Sequence, residues 1–100
     1  MNTKLSLLLE EIEFRNLQNK TKCNVCEQFP LYGKRKYDLN DLTFTEESGS
    51  IVFDDTDNIL INNTYVSAFM ISSVKSVTND KNTWIIVFKS GSSIKIKFIK

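Results

Sequence analysis

The chain has 100 residues, of which 41% are hydrophobic and 25% charged, and its formal net charge at pH 7 is +1. This is the length of one domain with a modest core, and the composition excludes an intrinsically disordered chain. The longest apolar runs, such as Trp84 to Phe88, fall far short of the roughly 18 residues of a membrane span. The N-terminal apolar run ends at Leu9 without a cleavage site, so we expect a cytoplasmic protein that contacts no membrane.

Residues 1–20 are predicted to form one amphipathic helix. Leu5, Leu8, Leu9 and Ile12 recur at i, i+3, i+4 and i+7, the spacing that lines one side of a helix. An asparagine and a threonine at the start can cap its first turn. Further apolar residues widen the stripe, which indicates a helix docked on a sheet, with part of a dimer interface as the alternative.

Residues 21–40 are predicted to be an irregular connector, because turn-forming residues dominate and no hydrophobic period is sustained. The connector contains Cys23-x-x-Cys26. If the turn between them points both thiolates inward, they can bind one tetrahedral zinc ion. The sequence has no histidine and no third cysteine, so a complete site needs carboxylates or a second chain with its own cysteine pair.

Four states of this cysteine pair remain open. They are free thiols, one of them buried under the helix; a zinc ion shared between two chains; a disulfide; and a redox centre. The redox centre fits least well, because the pair follows a helix instead of preceding one. We favour free thiols and therefore expect no cofactor.

Residues 41–100 are predicted to be an antiparallel β-meander, because the hydrophobic period changes to two. Its strands include 42–44, 51–53, 59–61 and 65–71, and its clearest element is the last hairpin. There Ile94, Ile96 and Phe98 face one way and Lys95 and Lys97 the other. The predicted fold is a single α+β domain spanning 1–100. Its N-terminal amphipathic helix packs on a five- or six-stranded, mainly antiparallel bent sheet or small open barrel.

Charge is sorted along the chain. Residues 1–36 carry seven basic and four acidic groups, residues 37–60 carry seven acidic groups and no basic ones, and residues 61–100 carry six lysines against one aspartate. Basic and acidic strands that lie side by side would explain this pattern through weak surface pairing. The alternative is that one of the two charged regions binds a partner.

The sequence favours a non-catalytic protein. Without histidine it lacks the commonest general base at neutral pH, and no glycine-rich phosphate loop is present. We therefore predict a small protein-binding module that acts as an inhibitor or adaptor. The excess of lysine over arginine is typical of an AT-rich coding genome, such as that of a low-GC bacterium or of a phage or plasmid it hosts. We therefore expect a module encoded by a phage or mobile element and directed at a host macromolecule. The predicted partner-binding residues are Tyr32, Tyr37, Asp38, Asp41, Glu46, Glu47, Asp54, Asp55 and Asp57.

Two alternatives use other residues. A nucleic-acid-binding small β-barrel would use the basic residues, although few arginines and exposed aromatics accompany them. A zinc-bridged homodimer would use Cys23 and Cys26. The residues of the nucleic-acid alternative are Lys34, Arg35, Lys36, Lys89, Lys95 and Lys97.

Overall fold

A computed structural model describes residues 2–55 and 67–99. Within these ranges the chain forms one α-helix and eight strands, with a short 3-10 helix at Ile71–Ser73. The helix is α1 (Thr3–Leu17), and the strands are β1 (Cys23–Phe29), β2 (Gly33–Leu39), β3 (Leu42–Glu47), β4 (Ser50–Asp55), β5 (Ser67–Met70), β6 (Val74–Asp80), β7 (Thr83–Phe88) and β8 (Ser93–Phe98).

The N-terminal helix forms as the sequence predicts, but it spans Thr3–Leu17 and is shorter than the predicted range 1–20. The Oδ1 atom of Asn2 accepts hydrogen bonds from the backbone N–H groups of Lys4 and Leu5, at 2.8 and 3.3 Å, and so caps the first turn. The four predicted core residues of the helix are buried, whereas Leu7, Phe14 and Leu17 are exposed. No helix in residues 2–55 and 67–99 is long and apolar enough to span a membrane.

The strands form two antiparallel sheets. The first has five strands in the order β2-β1-β8-β7-β6, and the second has three in the order β3-β4-β5. Inward side chains of both sheets and the buried side of α1 form one hydrophobic core. The predicted α+β fold, a helix packed on mainly antiparallel sheet, is confirmed. The described residues contain more strands than predicted, divided between two sheets, and these do not close into a barrel.

The predicted irregular connector is wrong, because residues 23–39 form the β1–β2 hairpin. Along β1 the buried residues Cys23, Val25 and Glu27 alternate with more exposed ones. Because the inward residue Glu27 is charged, the positions of the hydrophobic residues alone do not show the period of two. β1 also pairs with β8, which is far away in sequence, so local sequence does not reveal one of its two neighbouring strands.

The predicted meander of residues 41–100 is divided between the two sheets. β3 and β4 form the expected hairpin, whose two-residue turn has positive φ at Ser48 (51°) and Gly49 (81°), as a type I′ turn requires. β5 then completes the small sheet, and β6 begins the second half of the large one. The predicted strand 59–61 and the start of 65–71 lie outside the described residues.

A buried arginine on α1 connects the helix to the large sheet. The guanidinium group of Arg15 donates from Nε to Glu11 (2.9 Å), from Nη1 to the carbonyl of Lys20 (3.2 Å) and from Nη2 to Oδ1 of Asn82 (3.2 Å). It also stacks 4.2 Å from the centre of the Phe98 ring. Arg15 therefore joins the end of α1, the β6–β7 turn and β8.

Candidate functional site

One side of the five-stranded sheet is open to solvent, because the helix and the small sheet pack on the other side. Strand register places its outward residues in three rows that run from β2 to β6. We call this surface the lysine face. Its rows are Lys34, Gln28, Ser93, Val87 and Ser76; Lys36, Cys26, Lys95, Ile85 and Thr78; and Asp38, Asn24, Lys97, Thr83 and Asp80.

Four lysines dominate the charge of this face. Lys34 and Lys36 lie on β2, and Lys95 and Lys97 lie on β8, with β1 between the two pairs. All four are exposed. Since adjacent strands lie about 4.8 Å apart and alternate residues about 7 Å apart along a strand, the Cα atoms of Lys36 and Lys95, which share a row, are about 10 Å apart, and those of Lys34 and Lys97 are about 17 Å apart. The four lysines therefore act on the same ligand only if it extends over roughly 10 to 17 Å.

The lysine face also carries uncharged, partly exposed residues. Cys26, Ile85, Val87 and Ser93 are each of intermediate burial. Lys95 lies among them, between Cys26 and Ile85 in the middle row. The face forms a shallow depression of about 700 Å³ around these residues. Apolar and charged side chains that share one surface allow a protein partner to combine apolar contacts with ion pairs.

A buried carboxylate on the other side of β1 fixes the β1–β2 hairpin. Glu27, 3% exposed, accepts two hydrogen bonds from Arg35, at 2.8 and 3.1 Å, and one from the Tyr37 hydroxyl at 3.0 Å. The hydrogen bond to Glu27 raises the pKa of Arg35. Burial, followed by the charge of Glu27, raises the pKa of Tyr37 well above its usual range. Both groups therefore keep the protonation states that this cluster needs.

The same cluster borders a second depression, of about 600 Å³, between the two sheets. Its walls are mainly apolar and include Phe29, Phe69 and Phe88. The two oxygens of Glu27 are already occupied by Arg35 and Tyr37. The two charged residues that line this depression, Glu27 and Arg35, are therefore paired with each other.

The two cysteines lie on opposite faces of β1, contrary to the inward-pointing turn that the zinc hypothesis requires. Positions three apart in a strand face opposite ways. Cys23 is fully buried in the core, and Cys26 lies on the lysine face. Both are free thiols, and no cluster of three metal-ligating side chains occurs in the described ranges. Burial, with smaller effects of Asp55 and Asp38, raises the pKa of Cys23 to about 12.

Only Cys26 is expected to react with a thiol reagent in the folded protein. Cys23 is inaccessible, and its raised pKa leaves little thiolate at neutral pH. Iodoacetamide followed by mass spectrometry should show one modified cysteine under native conditions and two in guanidinium chloride. The Cys26→Ala variant should stay unmodified until it unfolds. Native labelling at Cys23 would contradict its burial.

The predicted acidic partner surface is not one surface. Asp41 accepts a hydrogen bond from the Thr21 hydroxyl, and Asp55 accepts bonds from the backbone N–H groups of Asn40 and Asp41, so both have structural roles. Asp38 lies at a corner of the lysine face, where it accepts a hydrogen bond from Asn24.

The other predicted partner residues are also separated. Glu46 and Glu47 lie at the end of the β3–β4 hairpin and Asp54 lies on β4, in the small sheet. Tyr32 is 87% exposed in the β1–β2 turn, whereas Tyr37 is not the exposed contact predicted but a half-buried partner of Glu27. Asp57 lies outside the described residues.

The basic residues of the nucleic-acid alternative are better grouped. Four of the six form the lysine face. Arg35 is on the opposite side of β2, paired with Glu27, and Lys89 lies in the β7–β8 turn. The sequence places Lys95 and Lys97 correctly on the wet side of their strand, but the alignment of β8 with β1 and β2 depends on long-range pairing. Glu27 and Arg15, the charged residues that are buried within the described ranges, were not predicted to be buried. The one sequence signal for the burial of Glu27 is that it lies two residues after Val25 and therefore on the same face of a strand.

No known protein family matches this chain, and no curated protein or solved structure is significantly similar to it.

Proposed function

We propose that this protein is a non-catalytic binding module whose partner is a protein with an acidic surface, bound on the lysine face. The observation that carries the proposal is the grouping of four exposed lysines with uncharged, half-buried residues on one side of the sheet. The proposal keeps the inhibitor or adaptor role expected from the sequence. It moves the binding surface from the acidic residues to the basic ones, because the acidic ones are separated or occupied by structural hydrogen bonds.

A protein partner is favoured over a nucleic acid by the composition of the face. Surfaces that bind single strands stack bases on aromatic side chains, whereas the lysine face presents Ile85 and Val87. Arg35, which could contact a phosphate with both ends of its guanidinium group, is turned away and bound to Glu27. Asp38 and Asp80 at two corners of the face also disfavour a continuous phosphate backbone.

The proposal predicts how charge reversal changes binding. Lys34→Glu combined with Lys95→Glu should weaken binding of poly-glutamate about tenfold or more at low salt, since each reversal replaces attraction with repulsion. The matched control is Lys4→Glu combined with Lys20→Glu, which alters net charge equally at exposed sites on and after the helix. It should bind almost as tightly as the native protein. Fluorescence anisotropy at about 50 mM salt measures these differences, which should shrink as added salt screens the charges.

The competing ligand in the same assay is an oligonucleotide of equal charge, single-stranded or double-stranded. The proposal expects poly-glutamate to bind more tightly than either. Tighter oligonucleotide binding that falls steeply with salt would favour the nucleic-acid alternative. Equal losses in the two charge-reversal variants would contradict the assignment of the lysine face.

A further inference from the structure

The β2 strand is the edge of the five-stranded sheet beside the lysine face. In the described part of the chain it pairs with β1 alone, in an unbroken register from Gly33 opposite Phe29 to Leu39 opposite Cys23. Its seven residues include no proline, and most are exposed. In an edge strand of this kind, backbone N–H and C=O groups of alternate residues point away from the sheet and can pair with another strand.

We infer that β2 accepts an acidic extended segment of the partner as a sixth strand of the sheet. The inference rests on the proposed function, because it names the part of the partner that is bound. Lys34 and Lys36 project from β2 onto the lysine face, so residues of an added strand opposite them lie on the same face. Opposite charges on neighbouring strands attract and like charges repel, which selects glutamate or aspartate opposite Lys34 and Lys36 but not opposite Asp38, the next residue of β2 on this face.

The other face of β2 determines which residues of the added segment are expected between its acidic ones. There Tyr37 is half-buried and Leu39 is buried, while the hydrogen bonds of Glu27 hold the strand in place. An apolar or β-branched side chain beside Tyr37 would extend this surface. The expected segment therefore alternates acidic and apolar residues. The strand to which it binds is held in place beforehand by the hydrogen bonds of Arg35 and Tyr37 to Glu27.

The other edge of the same sheet is less suitable. β6 has a register irregularity between Val74 and Ser76 and carries Asp80 near its end. Irregular pairing of this kind twists a strand and hinders addition of another one. For a second copy of this chain at β2, antiparallel pairing centred on Arg35 sets Lys34 against Lys36 twice and is disfavoured, whereas pairing centred on Tyr37 sets Lys36 against Asp38 twice. A second copy is therefore the competing occupant that the experiment below must distinguish.

A designed peptide tests this inference. The probe is a blocked nine-residue peptide in which glutamate alternates with valine, together with two versions that are N-methylated on all glutamate amides or on all valine amides. Only one edge of the peptide pairs with β2, so one methylated version should lose binding and the other should keep it. Hydrogen exchange should slow at alternate β2 amides when the unmethylated peptide binds.

Variants separate the edge from the rest of the face. Lys34→Glu with Lys36→Glu should weaken peptide binding about tenfold. Lys95→Glu with Lys97→Glu, the matched control two strands away, should have a clearly smaller effect. Circular dichroism should confirm that both variants remain folded.

Several outcomes would overturn strand addition. They are equal binding of the two methylated peptides, equal loss in both variants, and protection of amides outside β2. Concentration-dependent protection of β2 without peptide would instead identify a second copy as the occupant. If the peptide does not bind while binding of poly-glutamate still requires Lys34 and Lys95, the lysine face is supported as the binding surface and strand addition at β2 is refuted. If neither ligand binds, the proposed function fails as well.

Discussion

The Arg15→Ala variant is expected to lose about 3 kcal/mol of unfolding free energy, more than most single substitutions. Arg15 is 7% exposed, and its guanidinium group makes one hydrogen bond to Glu11 within α1 and two that join α1 to Lys20 and Asn82. Alanine leaves those groups without their donor and uncovers the Phe98 ring. Denaturation in urea, monitored by circular dichroism, measures the loss as a lower midpoint with an unchanged slope.

Two further variants show which property of Arg15 matters. Lysine keeps the charge but lacks the planar group that stacks on Phe98 and donates in several directions, so Arg15→Lys should recover less than half of the loss. Glu13→Ala, on the exposed side of the same helix, is the matched control and should change stability by less than about 0.5 kcal/mol. A loss for Arg15→Ala no larger than the control's would show that the buried cluster contributes nothing.

The native protein is expected to lose stability between pH 9 and pH 12 because Cys23 must stay neutral in the core. Its pKa is raised from 9.0 to about 12 on folding, so the folded state binds the thiol proton more tightly than the unfolded state does. This contribution is fully present below pH 9 and is lost as the pH rises towards 12. A difference of about three pKa units corresponds to about 4 kcal/mol at the upper end of the range.

Removing the thiol should remove most of that alkaline loss. Cys23→Ala is expected to be less stable at pH 7, by about 1 kcal/mol for the lost packing, but its stability should fall less steeply from pH 9 upward. Some loss remains above pH 10, because the pKa of Tyr37 is also raised on folding. Cys26→Ala should follow the native curve, since its thiol lies on the lysine face. Thermal unfolding under reducing conditions across this pH range makes the comparison, and identical curves for native protein and Cys23→Ala would refute it.

Local sequence patterns predict those parts of the fold whose residues interact over short distances. The spacing of Leu5, Leu8, Leu9 and Ile12 identifies the buried side of α1, and the alternation along β8 separates Ile96 from the lysines beside it. These patterns require only a local period of 3.6 or two. The β3–β4 hairpin is recognised in the same way, from its turn residues.

The parts of the fold that depend on pairing between strands far apart in sequence could not be predicted. β1 is stabilised by β8, and its inward series includes Glu27, so neither its strand character nor its neighbours follow from nearby residues. The lysine face could not be predicted for the same reason. Lys36 and Lys95 share one surface only because Cys26 pairs with both. The spacing of Cys23-x-x-Cys26 alone predicts a chelating turn. In the strand β1 the same spacing places the two thiols on opposite faces.

The central position of β8 has a consequence for how the protein is made. The β1–β2 and β6–β7 hairpins each form from neighbouring segments, but β8 alone joins them into one sheet. Since synthesis proceeds from the N-terminus, the first hairpin leaves the ribosome long before the strand that completes it. Until then one edge of β1 is uncovered. Nascent chains stalled before Ser93 should therefore associate with chaperones, and slow translation of the final segment should lower the yield of folded protein.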